Sequence, residues 1–383
     1  MVSKGISLKP ASILFVHQGY ELYGSDRTLI QSVQVAVKRW PEARITVLLP
    51  DAGPLREALL SVVEDVRVEK LAILRKSEIK TMRLRDVGGL VKKILEARRM
   101  VRSYDLTYIN TVMVLDYLVA ARTAGRPRIV HVHEIPTGAA SIFFSALLMF
   151  CGGFAIFNSN ATRRSFGLLP GQGYAIVWNG VATPANSCPP QAHAKLNLLL
   201  IGRLNSWKGQ VLFLRALAKL PENLRSQVNA RIVGSVFGDQ QHFADEVVKL
   251  AAEPGLNDIV DIWPFTEEPF PHYCWADAVV VPSTRPEPFG LVAIEAMAAG
   301  RCVIAANHGG LSEIVVSGVT GTLVKPGSVD SLAAAIASYI EDRDRVYAEG
   351  KAGRDRFAKE FDEGRYKSKI TNVIEELCDS MPH

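Results

Sequence analysis

Cysteine is scarce in this sequence, and no two cysteines stand close enough to form a CxxC pair. The five present, Cys151, Cys188, Cys274, Cys302 and Cys378, are scattered along the chain. An odd number this sparse makes neither a disulfide framework nor a zinc site, so a reducing, cytoplasmic setting is expected. No small-residue cleavage pattern follows the short apolar run in MVSKGISLKPASILFV, which excludes a secretion signal as the reading of that stretch. No Asp-x-Asp pair follows a predicted strand; Asp342-Arg343-Asp344 falls in a charged helical stretch, so neither a metal nor a cofactor is expected. Low-complexity tracts and short-period repeats are also missing.

Long uncharged runs are nearly absent too. The exception, 139–157 (AASIFFSALLMFCGGFAIF), approaches the length a bilayer requires. Gly152-Gly153 splits it, which favours a buried helix, a turn and a buried strand over a transmembrane helix.

What is there has ordinary globular composition, 48% hydrophobic and 22% charged over 383 residues, enough for two domains. The net charge of +5 is unevenly placed. Eleven Lys and Arg against four acids lie between Glu69 and Arg102. Within this segment Val87, Leu90, Val91, Ile94, Leu95 and Val101 recur at helical spacing, with Lys92, Lys93, Arg98 and Arg99 on the other face. Such a helix suits an anionic membrane surface, and equally the solvated face of an ordinary surface helix. Nucleic acid is disfavoured as a partner, because no aromatic residues interleave with the charges.

Short aliphatic runs alternate with longer helical patterns throughout, the signature of βαβ units and parallel sheets. Strands are expected at 12–16, 44–49, 106–110, 128–132, 154–158 and 174–178, then again at 196–201, 230–233, 259–263, 278–282, 303–306 and 322–324. The proline-rich stretch 182–195 reads as a linker. The division is therefore a first doubly wound domain over 1–181, the linker, a second over 196–363, and a last helix within 364–383. Ligands of such sheets bind beyond the carboxyl ends of the strands, so residues just after strands are the candidates.

The most informative segment is 285–300, RPEPFGLVAIEAMAAG. Two prolines stiffen a loop carrying Glu287, Gly290 lets backbone approach a ligand, and a helix begins at Leu291 whose free N–H groups suit an anion. Glu295 sits among apolar neighbours, so it needs a partner, either ribose hydroxyls or a structural hydrogen bond. After strand 196–201 come Arg203 and Lys208, two cations before a helix with Val211, Leu214, Leu217 and Leu220 on one face. Cations there oppose the macrodipole unless an anion sits between them, and a diphosphate fits. In the first domain, Gly24-Ser25 precedes a helix with Leu29, Val33, Val37 and Trp40 on one face, and Ser25 is placed to cap it. His133 follows strand 128–132, whereas His131 lies within it and reads as core.

Together these segments resemble the retaining glycosyltransferases of the GT-B fold with the E-x7-E motif, the group 1 family typified by bacterial mannosyl- and glucosyltransferases. The motif reads Glu287-x7-Glu295, followed by Gly300-Arg301-Cys302-Val303-Ile304-Ala305, Gly309-Gly310-Leu311-Ser312-Glu313-Ile314-Val315 and Gly321-Thr322-Leu323-Val324. The resemblance implies two Rossmann-like domains facing across a cleft, with the C-terminal helix crossing back to the first. It implies that Glu287 contacts the transferred sugar, that Phe289, Gly290 and Leu291 touch sugar and phosphate, and that Glu295 holds the ribose. Arg203 and Lys208 match the family's diphosphate-binding pair, Gly24, Ser25 and His133 match first-domain positions near phosphate and sugar, and the nucleobase sits near Trp263 to Phe265.

Tyr23-Gly24-Ser25-Asp26 stands where many members have two adjacent glycines, and the Lys-x-Gly-Gly-Leu loop of glycogen and starch synthases is absent. The function expected is transfer of a hexose-type sugar from a GDP, UDP or dTDP donor, with retention, to a saccharide or lipid-linked acceptor in cell-envelope synthesis. This would take place in the cytoplasm or at the inner membrane face, with 69–102 meeting the membrane. A sugar-nucleotide 2-epimerase or hydrolase and a non-catalytic nucleotide-sugar-binding protein share these features.

Overall fold

In the computed structural model the described residues are 10–74, 86–167, 169–186, 188–189, 193–236 and 241–379. Chain contacts divide it into two units, Met1–Asn179 with Gly364–His383, and Gly180–Glu363.

The first unit is a seven-stranded parallel sheet. Its strands are β1 (Ser12–Val16), β2 (Arg44–Leu49), β3 (Asp65–Val68), β4 (Leu106–Ile109), β5 (Arg128–Val132), β6 (Phe154–Phe157) and β7 (Tyr174–Ile176), in the order β3-β2-β1-β4-β5-β6-β7. The second unit repeats the plan with β8 (Leu196–Ile201), β9 (Val228–Val233), β10 (Val260–Trp263), β11 (Ala278–Val281), β12 (Cys302–Ala306) and β13 (Gly321–Val324), ordered β10-β9-β8-β11-β12-β13. Central strands are buried on both faces and read as continuous aliphatic runs; ILFV of β1 and AVVV of β11 have no exposed position. In each sheet the winding direction reverses beside the first strand, between β1 and β4 and between β8 and β11. That reversal opens a crevice at the strands' carboxyl ends, where such folds bind ligands.

Helices cover both faces of each sheet. One apolar cluster of the first unit joins β1, β2 and the helix Gly24–Arg39 to Tyr366, Ile370, Val373 and Ile374 of the last helix, Glu363–Asp379. Tyr366 also bonds through its hydroxyl to Ser32 (2.8 Å). The C-terminal helix is thus part of the first unit's core, although its sequence follows the second unit.

The strand expected at each of twelve positions is present, with ends shifted by one or two residues. β3 was not expected, because its sequence DVRV is short, charged and at the sheet edge. Gly152 and Gly153, both at positive φ, do separate a helix, Ala139–Cys151, from β6. That helix is not buried throughout: Ile142, Phe143, Met149 and Phe150 are exposed. No helix among the described residues is long and apolar enough to cross a membrane.

In the basic segment, the helix runs Asp86–Arg102 and buries Ala97 and Val101, but Val91 and Leu95 are about half exposed. The basic residues Arg75, Lys76, Lys80, Arg83 and Arg85, and the side chain of Val87, lie outside the described residues.

A further correction concerns cysteine. Cys188 and Cys274 form a disulfide across 86 residues of sequence, with Cα atoms 5.0 Å apart, while Cys151, Cys302 and Cys378 are free and buried. Spacing gave no sign of it, because the fold and not the sequence brings the two together. Asp342 caps the helix Arg343–Glu360 by accepting from the Arg345 amide, and Arg343 pairs with buried Asp277 (3.1 Å), so the Asp-x-Asp stretch has a structural use.

Packing of the C-terminal helix gives one expected outcome. Ile370→Ala removes a fully buried side chain from the first unit and lowers its unfolding free energy by about 2–5 kcal/mol. Urea titration followed by circular dichroism checks this; an unchanged transition would contradict the packing described.

Candidate functional site

The second unit brings its candidate residues together where β8 and β11 part. Gly209 opens the helix Gln210–Lys219 at φ +87°, and a Cβ there would stand 2.4 Å from the Pro282 carbonyl oxygen. Glycine therefore lets the loop after β8 lie against the loop after β11, where the Thr284 amide donates to the Trp207 carbonyl (2.7 Å). Asn205 accepts from the Trp207 and Lys208 amides, fixing the turn.

This closeness places the Lys208 ammonium 2.7 Å from a Glu287 carboxylate oxygen. Glu287 is buried, with 6% exposed, and its Oε1 accepts from the Ser283 hydroxyl as well. Burial raises the carboxyl pKa, but the charge and hydrogen bond of Lys208, Ser283 and nearby His308 outweigh it and hold Glu287 below the usual range. Glu287 is thus an ionised acceptor at neutral pH. Arg203, by contrast, is exposed, while its backbone carbonyl accepts from Gln210.

The Glu287 backbone is clamped from a third loop. Gly310 donates its amide to the Glu287 carbonyl (2.8 Å), and a Cβ on Gly310 would stand 2.4 Å from the Phe289 oxygen. Phe289 is buried against Phe361, and Gly290 at φ +124° turns the chain into the helix Leu291–Ala298. Glu295 on that helix is half-buried and accepts from the Tyr273 hydroxyl (2.6 Å). Arg301 holds the Tyr273 and Cys274 carbonyls, which fixes the helix that carries Tyr273. Phe265, after β10, is 57% exposed, and its amide donates to Ser235.

In the first unit, Gly24 is the first residue of its helix, at negative φ, and Ser25 lies in the first turn. Ser25 is not the cap: Asp26 accepts from the Tyr23 amide (2.9 Å) with one oxygen and meets His17 Nε2 (2.7 Å) with the other. Asn110, after β4, donates to the Ser25 carbonyl and accepts at Oδ1 from His133 Nε2 (3.0 Å). His131 and His133 stack with ring centroids 4.1 Å apart, and Tyr108 bonds His131. Burial, then the neighbouring histidines, pushes His133 well below 6.5; burial and His17 hold His131 down to about 3. Both rings are neutral, so His133 offers hydrogen bonds and no charge. Burial pushes the Glu134 carboxyl up, against hydrogen bonds from Thr111 and the His133 amide.

Sequence reasoning passed over His17, Asn110, Tyr273, Ser283 and His308. Of these, all but Tyr273 carried a usable signal, since His17, Asn110, Ser283 and His308 each lie within two residues of the end of a predicted strand. Among the described residues no three His, Cys, Asp or Glu side chains form a metal-ligating group.

The buried histidines give a pH dependence whose sign is fixed. Unfolded histidine takes up a proton near pH 6.5 and the folded rings do not, so stability is full above that pH and falls below it, by up to about 1.4 kcal/mol per pH unit for each ring. Glu287 acts only at lower pH, losing its contribution as pH falls through its depressed folded value. Urea titrations at about pH 7.5 and 5 check this, and His131→Gln should flatten the slope. An equal slope in that variant would contradict the neutral assignment.

Comparison with known proteins relates the chain to glycosyltransferases. Residues 190–356 match the family "Glycosyl transferases group 1". The Salmonella typhimurium lipopolysaccharide 1,2-N-acetylglucosaminetransferase is 34% identical over 205 residues, 50% of this chain and 54% of that enzyme. D-inositol 3-phosphate glycosyltransferase 1 of Catenulispora acidiphila is 38% identical over 165 residues, 41% of this chain and 38% of that enzyme. These matched stretches span about half or less of the curated relatives. Among solved structures, Anabaena Alr3699/HepE in complex with UDP and glucose superposes with a TM-score of 0.80 at 25% identity, covering 96% of this chain and all of that one. The chain therefore has the α/β fold of GT-B glycosyltransferases, and its second unit is similar in sequence, over residues 190–356, to glycosyl transferases group 1.

Proposed function

We propose that this chain is a retaining, metal-independent glycosyltransferase that moves a hexose-type sugar from a nucleotide diphosphate to a saccharide or lipid-linked acceptor. The observation that carries this reading is the buried Lys208–Glu287 pair, set between the loops at the β8/β11 crevice. Ionised at neutral pH, Glu287 accepts hydrogen bonds from sugar hydroxyls. Lys208 and the exposed Arg203, both on the loop after β8, take up the charge that develops on the departing diphosphate, the electrostatic role such groups play in transfer reactions. Glu295, one turn into the helix that starts at Gly290, is the carboxylate this reading gives to the ribose hydroxyls. Phe265 lies where the nucleobase would rest, and Phe289, Gly290 and Leu291 line the sugar and phosphate.

In the first unit, this reading gives the Gly24–Ser25 turn to the phosphate and the neutral His133 ring to a sugar or acceptor hydroxyl. UDP and glucose in the Anabaena structure make a UDP-hexose the first donor to test, and GDP and dTDP sugars follow. The Salmonella relative supports a role in lipopolysaccharide or related envelope synthesis. The reading places the protein in the cytoplasm, peripheral to the inner membrane face.

Incubation of the full chain with UDP-, GDP- and dTDP-sugars, with and without an acceptor panel, tests it. A transferase leaves the donor nearly intact without acceptor; a 2-epimerase would change its sugar, and a sensor would bind it and transfer nothing. Arg203→Ala and Lys208→Ala each lower turnover by about two orders of magnitude. Near-wild-type turnover in both would contradict the diphosphate assignment.

A further inference from the structure

The helix Ala139–Cys151 has two apolar faces. Phe144, Leu148 and Cys151 are buried toward the sheet, whereas Ile142 (76% exposed), Phe143, Met149 and Phe150 face outward at i, i+1, i+7 and i+8, one stripe along the helix. Four large apolar side chains exposed on one helix face are unusual on a soluble surface.

Their surroundings are basic. The helices Asp86–Arg102, Leu115–Ala124 and Ala139–Cys151 are successive crossovers of one parallel sheet, so right-handed connection sets them on the same face, and the first packs on the second and the second on the third. The first adds half-exposed Val91 and Leu95 beside exposed Lys92, Arg99 and Arg102. Arg122 and Arg126 are exposed at the end of the middle helix. Between 117 and 152 the sole acid is Glu134, whose oxygens accept from Gln18, Thr111 and the His133 amide. Among the described side chains of these helices Glu96, 3.9 Å from Lys92, is the one exposed acid, so apolar side chains and cations share one face with an excess of positive charge.

We infer that this helical layer is a membrane-docking surface, in which the Ile142–Phe150 stripe enters the interface of an anionic bilayer and the basic residues meet the headgroups. Charge complementarity selects this occupant: a second copy packed on the same face would oppose Lys92, Arg99 and Arg102 to their own equivalents. Partitioning of such a face follows from apolar burial plus attraction to anionic lipid. The surface deepens the peripheral placement proposed above; it belongs to the first unit alone and does not depend on the donor chemistry, so its failure would leave the transfer reaction standing.

Flotation of the full chain with vesicles of phosphatidylcholine, with and without one-third phosphatidylglycerol, tests the inference. The wild type should float with the anionic vesicles and release at high salt. Ile142→Ser/Phe143→Ser/Phe150→Ser should lower the bound fraction about ten-fold while keeping the wild-type melting temperature, since these side chains are exposed; the single Ile142→Ser should give a partial loss. Lys92→Gln/Arg99→Gln/Arg102→Gln should weaken binding and reduce its salt dependence. A wild type that stays unbound would overturn the inference, as would a serine variant that floats like the wild type. So would a wild-type dimer, seen by analytical ultracentrifugation, that the serine variant converts to monomer.

Discussion

The Lys208–Glu287 ion pair is the constraint on which the second unit's site depends. A buried carboxylate without a partner would cost several kcal/mol, and so would the half-buried ammonium left behind by its loss. Satisfying both requires two loops to approach closely, and that approach demands glycine at 209. A third loop then completes the arrangement, because Gly310 reaches the Glu287 and Phe289 backbone only by having no side chain. One electrostatic contact and two glycines therefore interlock the loops after β8, β11 and β12. The helix that begins at Gly290 inherits its position from them, and with it Glu295.

The first unit solves the matching problem differently. At its own reversal of winding, between β1 and β4, it places a network of neutral rings and amides: His17 against Asp26, Asn110 against His133, and His131 against Tyr108. Burial removes charge from His131 and His133 instead of pairing it. Tyr108 lies within hydrogen-bonding distance of Ser32, which also meets Tyr366 of the C-terminal helix, so the polar network and the apolar core that anchors this helix are continuous. One unit thus holds fixed charge at its reversal of winding and the other directional hydrogen bonds.

Legibility in the sequence followed the strength of local signals. Aliphatic runs such as ILFV and AVVV are buried on both faces, so they announce the parallel sheets, while DVRV of β3 at the edge is half polar and escapes notice. Gly-Gly at 152–153 correctly divided an uncharged run. Periodicity alone, however, did not tell which apolar residues of a helix face the core: Val91 and Leu95 repeat at helical spacing and are exposed, and lack of charge did not bury Ile142 and Phe143. Residues at strand ends could be nominated as candidates, and Lys208 and Glu287 do meet. Their direct pairing was not evident, because 79 residues separate them and only the sheet order brings β8 beside β11. The same reason hid the Cys188–Cys274 bond and the Tyr273 hydroxyl on Glu295. Ser25 looked like a helix cap by residue type, but Asp26 fills that role because the buried His17 ring holds its other oxygen.

A double-mutant cycle across Lys208→Met and Glu287→Gln, read from urea unfolding of the second unit at neutral pH, tests the account most directly. If this pair organises the site, each single variant leaves a buried charge uncompensated and is more destabilised than the double variant would suggest, with a coupling energy of about 1–3 kcal/mol. Additive effects, with coupling near zero, would contradict the claim that the three loops depend on this contact.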